Sequence, residues 1–243
     1  RGNLMSGYQL LNLENAKTIK GEKKGYKTAV LYLLPSDLSG KNLCPYSKIA
    51  MCEEPCLNTA GRGGIYKKGE TTNAIQKARK RRSDMFNNSK ELFFALLIKE
   101  INTFLRHCNR QDLIPCVRLN GTSDIQWEYI EYAGRTIFEH FPDIQFYDYT
   151  KIPTRKIKDI SNYHLTWSYS EANKAYSVMF NKMIDKMNVA VVFRNDLPIL
   201  YKGKEVVNGD ENDLRFLDKS NVVVGLKAKG KAIKDYSGFV IDA

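Results

Sequence analysis

The chain predicts an α/β fold, a partial (β/α)6 TIM-like barrel with a cysteine-rich loop after strand one. Three observations predict it. Short apolar runs of strand type alternate with segments of helical period. Strands separated by helical segments pair in parallel through right-handed crossovers, and six such units make an open or partial barrel. The carboxyl ends of those strands are polar, as they are where ligands gather in such folds. A doubly wound sheet is the alternative. At 243 residues the chain has the length of a single α/β domain over 1–243, with 1–26 as an N-terminal extension.

Residues 27–34 (KTAVLYLL) read as the first strand, stopped by Pro35. The loop that follows contains the cysteines and runs to Gly64. A basic helix is expected over 72–83 and a longer amphipathic one over 89–108, with Leu92, Phe93, Leu96, Leu97, Ile101 and Phe104 on one face. Residues 114–120 form the second strand and 126–141 a second helical region. Strand three (144–150) precedes a short helix near 154–160. Strand four (163–169) precedes a helix across 171–187. Strand five covers 188–194 and strand six 221–227. Between these last two, 199–207 reads as a small hairpin turning at Lys202-Gly203.

No apolar run reaches the roughly 18–20 residues needed to span a bilayer, so no membrane partner is expected. The net charge is +11, which favours an anionic partner, with nucleic acid or a phosphorylated nucleotide first. Part of that charge is concentrated: Lys77, Arg79, Lys80, Arg81 and Arg82 place five cations in six residues. A solvated helix face is the plain alternative. There is no G-x-G-x-x-G after the first strand and no G-x-x-x-x-G-K-[ST], so dinucleotide and P-loop binding have no support.

Five cysteines, an odd number with three clustered, fit metal or redox chemistry in a reducing compartment better than a disulfide framework. Cys44, Cys52 and Cys56 are spaced C-x7-C-x3-C within the loop 44–64. A closed zinc site needs a fourth ligand. Cys116 lies low on strand two, and His107 and Cys108 end a long helix, all away from the strand tops. Thiolates are the natural ligands of a 4Fe-4S cluster, and three of them leave one iron open. Pro45 and Pro55 stiffen the loop, and Gly61, Gly63 and Gly64 permit close backbone approach. Zinc and unligated buried thiols remain the competing readings.

Several stretches resemble the phage gene product 88 family: Cys44-Pro45 with Cys52 and Cys56, Val117-Arg118-Leu119, residues 146–151, 208–218 and 224–230. That family is of unknown function, and the resemblance implies a phage-encoded protein acting in the host cytoplasm. The loop and the six-unit pattern also resemble radical S-adenosylmethionine enzymes, with C-x7-C-x3-C in place of their C-x3-C-x2-C and no Gly-Gly-Glu after strand two. This second resemblance implies S-adenosylmethionine as a cofactor. Asn120 and Asp124 would face its amino group, and Ser168, Ser170 and Arg194 its ribose and carboxylate. Tyr147, Asp148, Tyr149 and Lys151 would line the substrate side, and Asp210, Asp213 and Arg215 form a second polar cluster suited to acid–base or phosphate work. A non-catalytic iron–sulfur or zinc protein that binds nucleic acid, and an accessory protein with a purely structural cluster, are the alternatives.

Overall fold

The computed structural model describes residues 9–14 and 16–243. The extension expected over 1–26 lies outside the described residues for 1–8 and 15. Its remainder holds β1 (Leu11–Asn12) and α1 (Ala16–Glu22). β1 pairs antiparallel with β2 (Tyr26–Leu31), and the Glu100 carboxylate accepts from the backbone N–H groups of Leu10 and Leu11 at 2.8 and 2.9 Å. Two helices follow, α2 (Ala74–Asn88) and α3 (Lys90–Arg110). Then come β3 (Ile114–Arg118), a hairpin of β4 (Glu131–Tyr132) and β5 (Arg135–Thr136), and α4 (Ile137–His140). β6 (Gln145–Thr150) and β7 (Tyr163–Ser168) lead to α5 (Lys174–Ser177), α6 (Phe180–Ile184) and β8 (Val189–Phe193). The chain ends with β9 (Leu200–Tyr201), β10 (Lys204–Asn208), β11 (Val223–Lys227) and β12 (Val240–Ile241).

The α/β class holds, built on one large and mostly parallel sheet. Six of its strands lie side by side in chain order, β2-β3-β6-β7-β8-β11, each parallel to the next. A doubly wound sheet reverses its strand order at a switch point, and this order has no reversal. The sheet does not close on itself: β1 forms one edge, and β10 and β9 extend the other. Among the described residues no helix is long and apolar enough to cross a membrane.

The two faces carry different cores, as period-two alternation requires. On one face Ala29, Leu31, Val117, Leu119, Phe146 and Leu165 meet Phe93, Leu97, Ile101 and Phe104 of α3. The other face places Cys116 and Tyr147 against Leu214 and Phe216, from the segment between β10 and β11. That segment is held down by Arg118 Nη1, which donates to Asp213 Oδ2 at 2.8 Å. Farther along the sheet Val192 packs with Ala228, Ala232, Phe239 and Val240 near the C-terminus.

Three expected helices differ. Residues 126–141 form a 3-10 turn (Trp127–Tyr129), the β4–β5 hairpin and one turn of helix. Ala133 and Gly134 turn the hairpin at φ +52° and +74°, the left-handed pair that two-residue hairpins need. Residues 154–160 form turns, because Arg155 is drawn inward to a buried carboxylate pair. Residues 171–187 break into α5 and α6, since Tyr176 is pulled down to donate to the Lys151 and Ser168 carbonyls at 3.0 and 2.7 Å. The Lys202-Gly203 hairpin forms as expected.

The face expected for α3 is correct except at its first member. Leu97 is 0% exposed and Leu92 is 46% exposed. Leu97→Ala should cost about 2–5 kcal/mol of unfolding free energy, whereas Leu92→Ala should stay within about 0.5 kcal/mol. Urea denaturation of both variants checks this contrast.

Candidate functional site

Strand β2 delivers the chain to the upper end of the sheet, where residues 36–64 fold over the strand ends without α-helix. Two non-glycine residues in this loop are left-handed, Ser36 at φ +50° and Met51 at φ +52°. Such conformations persist where the surroundings over-determine them. Here the Glu53 carboxylate accepts from the hydroxyls of both Ser36 and Ser47, and the Cys52 N–H bonds to the Ser47 carbonyl at 3.1 Å. Ser170, just past β7, donates to the Ala50 carbonyl at 2.8 Å. The Asp124 N–H bonds to the Leu43 carbonyl at 2.8 Å. The loop is therefore sewn to the ends of β3 and β7.

Each sulfur has a backbone contact. Cys44 Sγ lies 3.8 Å from the Thr122 carbonyl and Cys52 Sγ 3.7 Å from the Ser47 carbonyl. Cys56 Sγ accepts from the Asn58 N–H at 3.4 Å. Arg79 on α2 reaches in to hold Asn58, with Nη1 at 2.7 Å from its carbonyl and 2.6 Å from Oδ1. Gln76 donates to the Asn58 and Gly63 carbonyls at 2.8 and 2.9 Å. Glycine is required at 63 and 64, where a Cβ would meet the Asn58 and Thr59 carbonyls at 2.7 and 2.0 Å.

The three thiols share one electrostatic environment. Burial pushes Cys44 up to about 12, with Asp124 and the other two sulfurs adding to the rise. Burial likewise raises Cys52 and Cys56, and Lys151 opposes the rise at both. The Lys151 ammonium donates to Ser168 Oγ at 2.8 Å and sits 4.5 Å from the Phe239 ring centroid. Cations beside buried thiols are what thiolate ligation needs, because ligands must deprotonate to bind metal.

Among the described residues no group of three or more His, Cys, Asp or Glu is drawn together to hold a metal ion. A single zinc would need its thiolates about 3.8 Å apart, from Zn–S bonds of about 2.3 Å at tetrahedral angles. The remaining cysteines are elsewhere: Cys108 is buried in the α3 core and Cys116 against Leu214. His140 Nε2 is within 2.8 Å of the Tyr132 carbonyl. The described residues thus place three thiols with cationic neighbours in one loop, without gathering them or a fourth protein ligand into a metal site.

Of the residues expected at the cofactor, Asp124 and Ser168 lie at this mouth. Asn120 is committed to its own loop, donating to the Ile125 carbonyl and accepting from Ser123, Ile125 and Trp127. Ser170 anchors the cysteine loop. Arg194 is bound to Asp242 and the carbonyls of Ile233 and Asp235. On the expected substrate side, Lys151 is at the mouth and Tyr147 is deeper on the same face, 3.1 Å from the Thr28 hydroxyl. Asp148 points to the opposite face, where it accepts from the N–H of Asn120 at 2.9 Å and the Tyr163 hydroxyl at 3.2 Å. Asp213 joins the face of Tyr147, whose hydroxyl lies 3.4 Å from its Oδ2, and Arg215 follows in the same segment. Asp210 instead binds the Lys227 N–H and the Lys229 ammonium at 2.8 and 2.6 Å.

The basic helix divides. Lys77, Lys80 and Arg81 are exposed, with Lys80 paired to Asp84 at 2.9 Å. Arg79 is buried in the cysteine loop, and Arg82 donates to the Gln9 carbonyl at 2.8 Å. Sequence reasoning missed Glu53, Arg155 and Glu128. Arg155 and Glu128 form a buried fork, Nε–Oε1 2.6 Å and Nη2–Oε2 2.7 Å, and no motif marks them.

A family model described as Gene product 88 matches residues 9–243. Nothing among curated proteins or solved structures matches the chain.

Burial pushes the Asp148 carboxyl up to about 7, against the opposing charge of Arg118. A folded-state value above the unfolded one means that its stabilising contribution is complete below about pH 4 and is lost as pH rises to about 7. The stability difference between wild type and Asp148→Asn should therefore change across pH 4–7 and be flat above pH 8. Urea titrations at several pH values measure it.

Proposed function

The chain belongs to the gene product 88 family, and from that premise we propose that it is a phage iron–sulfur protein. Cys44, Cys52 and Cys56 would hold a 4Fe-4S cluster at the mouth of a partial β/α barrel. The observation that carries this reading is a single loop at the carboxyl end of the first parallel strand whose three half-buried thiols act electrostatically on one another, with Lys151 and Arg79 as cationic neighbours. The strand order supports the barrel reading: six parallel strands in chain order are what a singly wound, barrel-type sheet requires.

When bound, such a cluster supplies one-electron chemistry and, with three cysteine ligands, an iron open to an exogenous group. The chain's own residues do the rest. Glu53, Ser36 and Ser47 fix the loop; Arg79 and Gln76 orient the Cys56 turn; Lys151 offsets thiolate charge. Lys151 and Ser168 are also the polar groups available to a molecule bound beside the thiols. A radical S-adenosylmethionine-like enzyme acting on a nucleotide or nucleic acid is the narrower form of the proposal. Ser168 and Lys151 would serve its cofactor, since Asn120, Asp124, Ser170 and Arg194 are otherwise bonded.

One observation favours a second reading. Lys77, Lys80 and Arg81 stand exposed on α2 of a chain with net charge +11, as a non-catalytic nucleic-acid binder would require. Replacing Lys77 and Arg81 would then abolish salt-sensitive retention on single-stranded DNA or RNA.

Anaerobic purification should yield a brown protein with iron and acid-labile sulfide in equal amounts, and Cys52→Ser should lose both. A colourless protein with stoichiometric zinc would defeat the proposal. Release of 5′-deoxyadenosine on adding S-adenosylmethionine to the reduced protein tests the narrower form.

A further inference from the structure

Seven buried side-chain nitrogen and oxygen atoms have no hydrogen-bond partner among the described residues, and all seven fall in one place. They are Arg118 Nε, Tyr149 Oη, His164 Nε2, Thr166 Oγ1, Arg215 Nε and Nη1, and Asp218 Oδ2. Register puts Tyr149 beside Thr166 and Tyr147 beside His164 on adjacent strands, so these side chains share the face of the sheet opposite α3. The Arg118 guanidinium lies 5.3 Å from the Tyr149 ring centroid; its Nη1 is bonded to Asp213 and its Nε, 3.8 Å from Asp148 Oδ1, is within ion-pair range but makes no hydrogen bond. From the opposite side, Arg215 acts electrostatically on both Tyr149 and His164, and its Nη1 is 3.3 Å from Asp218 Oδ2.

Elsewhere the described residues satisfy their buried side-chain polar atoms, as native proteins generally do. A guanidinium only 1% exposed whose Nε has no partner and whose Nη1 has only the ion pair to Asp218, on the same sheet face as a fully buried, unbonded hydroxyl at Thr166, is a set of groups built to be met by something else. Arg118 Nε and the two Arg215 nitrogens can only donate, and both hydroxyls can turn to donate. Asp218 Oδ2 alone can only accept. The set therefore calls for an acceptor-rich group.

The fold also provides an approach. β8 pairs with β7 only at Trp167 and Ser168, so the first residues of β7 have no strand beside them on that side. The gap opens into a slot of about 1070 Å³ whose wall includes His164 and Asp218. Lys156, Lys158 and Lys186 line it, with Asp159 and Asp185 offsetting part of their charge.

We propose that the face of the sheet opposite α3, between β3, β6, β7 and the segment 212–218, binds a small molecule through an oxyanion, phosphate or carboxylate. Arg118 and Arg215 are its charged contacts, Tyr149 and Thr166 its hydroxyl donors, and the slot beside β7 its entry. Tyr149 and Thr166 sit two residues below Lys151 and Ser168 along the chain, about 6.6 Å by strand rise, so the molecule lies beneath the Lys151–Ser168 pair. The proposal names the substrate class of the site described above and rests on that reading only for the chemistry that follows binding.

The test uses the full chain in phosphate-free buffer, with thermal unfolding followed as inorganic phosphate, acetate or chloride is added at matched ionic strength. Phosphate or acetate should raise the melting temperature saturably and chloride should not; which of the two acts identifies the oxyanion. Arg215→Met should abolish the rise. Tyr149→Phe and Thr166→Val should each weaken the apparent affinity about tenfold, one hydrogen bond to a charged group. Both should leave the anion-free melting temperature intact, because the hydroxyls they remove have no protein partner. Cys52→Ser should respond as wild type does, so loss of a cluster and loss of the anion site are read separately. Absence of a saturable rise, an equal rise in chloride, or an unchanged response in Tyr149→Phe and Thr166→Val overturns the proposal, even where Arg215→Met fails to fold.

Discussion

Arg155 holds together the part of the molecule on which the thiol loop rests. Its fork grips Glu128, its Nη1 lies 3.2 Å from Asp124 Oδ1, and its Nη2 donates to the Tyr163 hydroxyl at 3.1 Å. Those partners come from the loop after β3 and from the foot of β7. Asp124 in turn accepts from Thr150 and from the Lys151 N–H at the end of β6, each at 2.8 Å. Its own N–H ties down Leu43, next to Cys44. Tyr163 passes the chain of bonds on to Asp148, which fixes the turn at Leu119 and Asn120. Removing charges from water costs several kcal/mol per ion, recovered only in a fully bonded arrangement. One guanidinium therefore registers three strand ends against one another, and the cysteine loop inherits that register.

The face of the sheet opposite α3 is organised by a second buried pair. Arg118 meets Asp213 at 2.8 Å with side-chain exposures of 11% and 2%, and this contact brings the 212–218 segment onto the sheet. Leu214 then covers Cys116, while Phe216 packs edge-on to Tyr26 at 5.5 Å and near Tyr147 at 5.3 Å. A connection between β10 and β11 that would ordinarily run over the surface instead floors the site. That is also why Arg215 is buried, although it belongs to a run of charged residues that reads as a solvated loop.

Much of the fold was legible because it rests on local periodicity. β8 is VAVVF with all but Val192 buried, and α3 keeps its apolar stripe for five turns; neither needs tertiary information to be recognised. The failures at 126–141, 154–160 and 171–187 share a cause. In each, an inward pull on one side chain (Trp127, Arg155, Tyr176) outweighs helical propensity, which is worth only tenths of a kcal/mol per residue. The cysteines were legible from spacing alone. The role of Arg79 was not: within a run of five cations nothing distinguishes the one whose helical phase turns it toward Asn58.

Residue type at a strand end is a poor guide to function, and hydrogen-bond capacity is a better one. Asn120 looked like a ligand-binding group, but its amide already makes four bonds inside its own loop, so nothing is left for a ligand. Ser170 and Arg194 are occupied in the same way, by the Ala50 carbonyl and by the C-terminal segment. Lys151 differs, because its ammonium has one hydrogen bond and one ring contact while three donors are available to it. Tyr149, Thr166 and Arg215 differ more strongly, being buried with capacity unused. Unused capacity in a buried group is costly to maintain, so a fold retains it where something else completes the set. By that criterion the groups with capacity to spare form one column on the face opposite α3, from Lys151 and Ser168 down to Thr166 and Tyr149, with Arg215 packed over it. The polar residues around that column are the scaffold holding it in place.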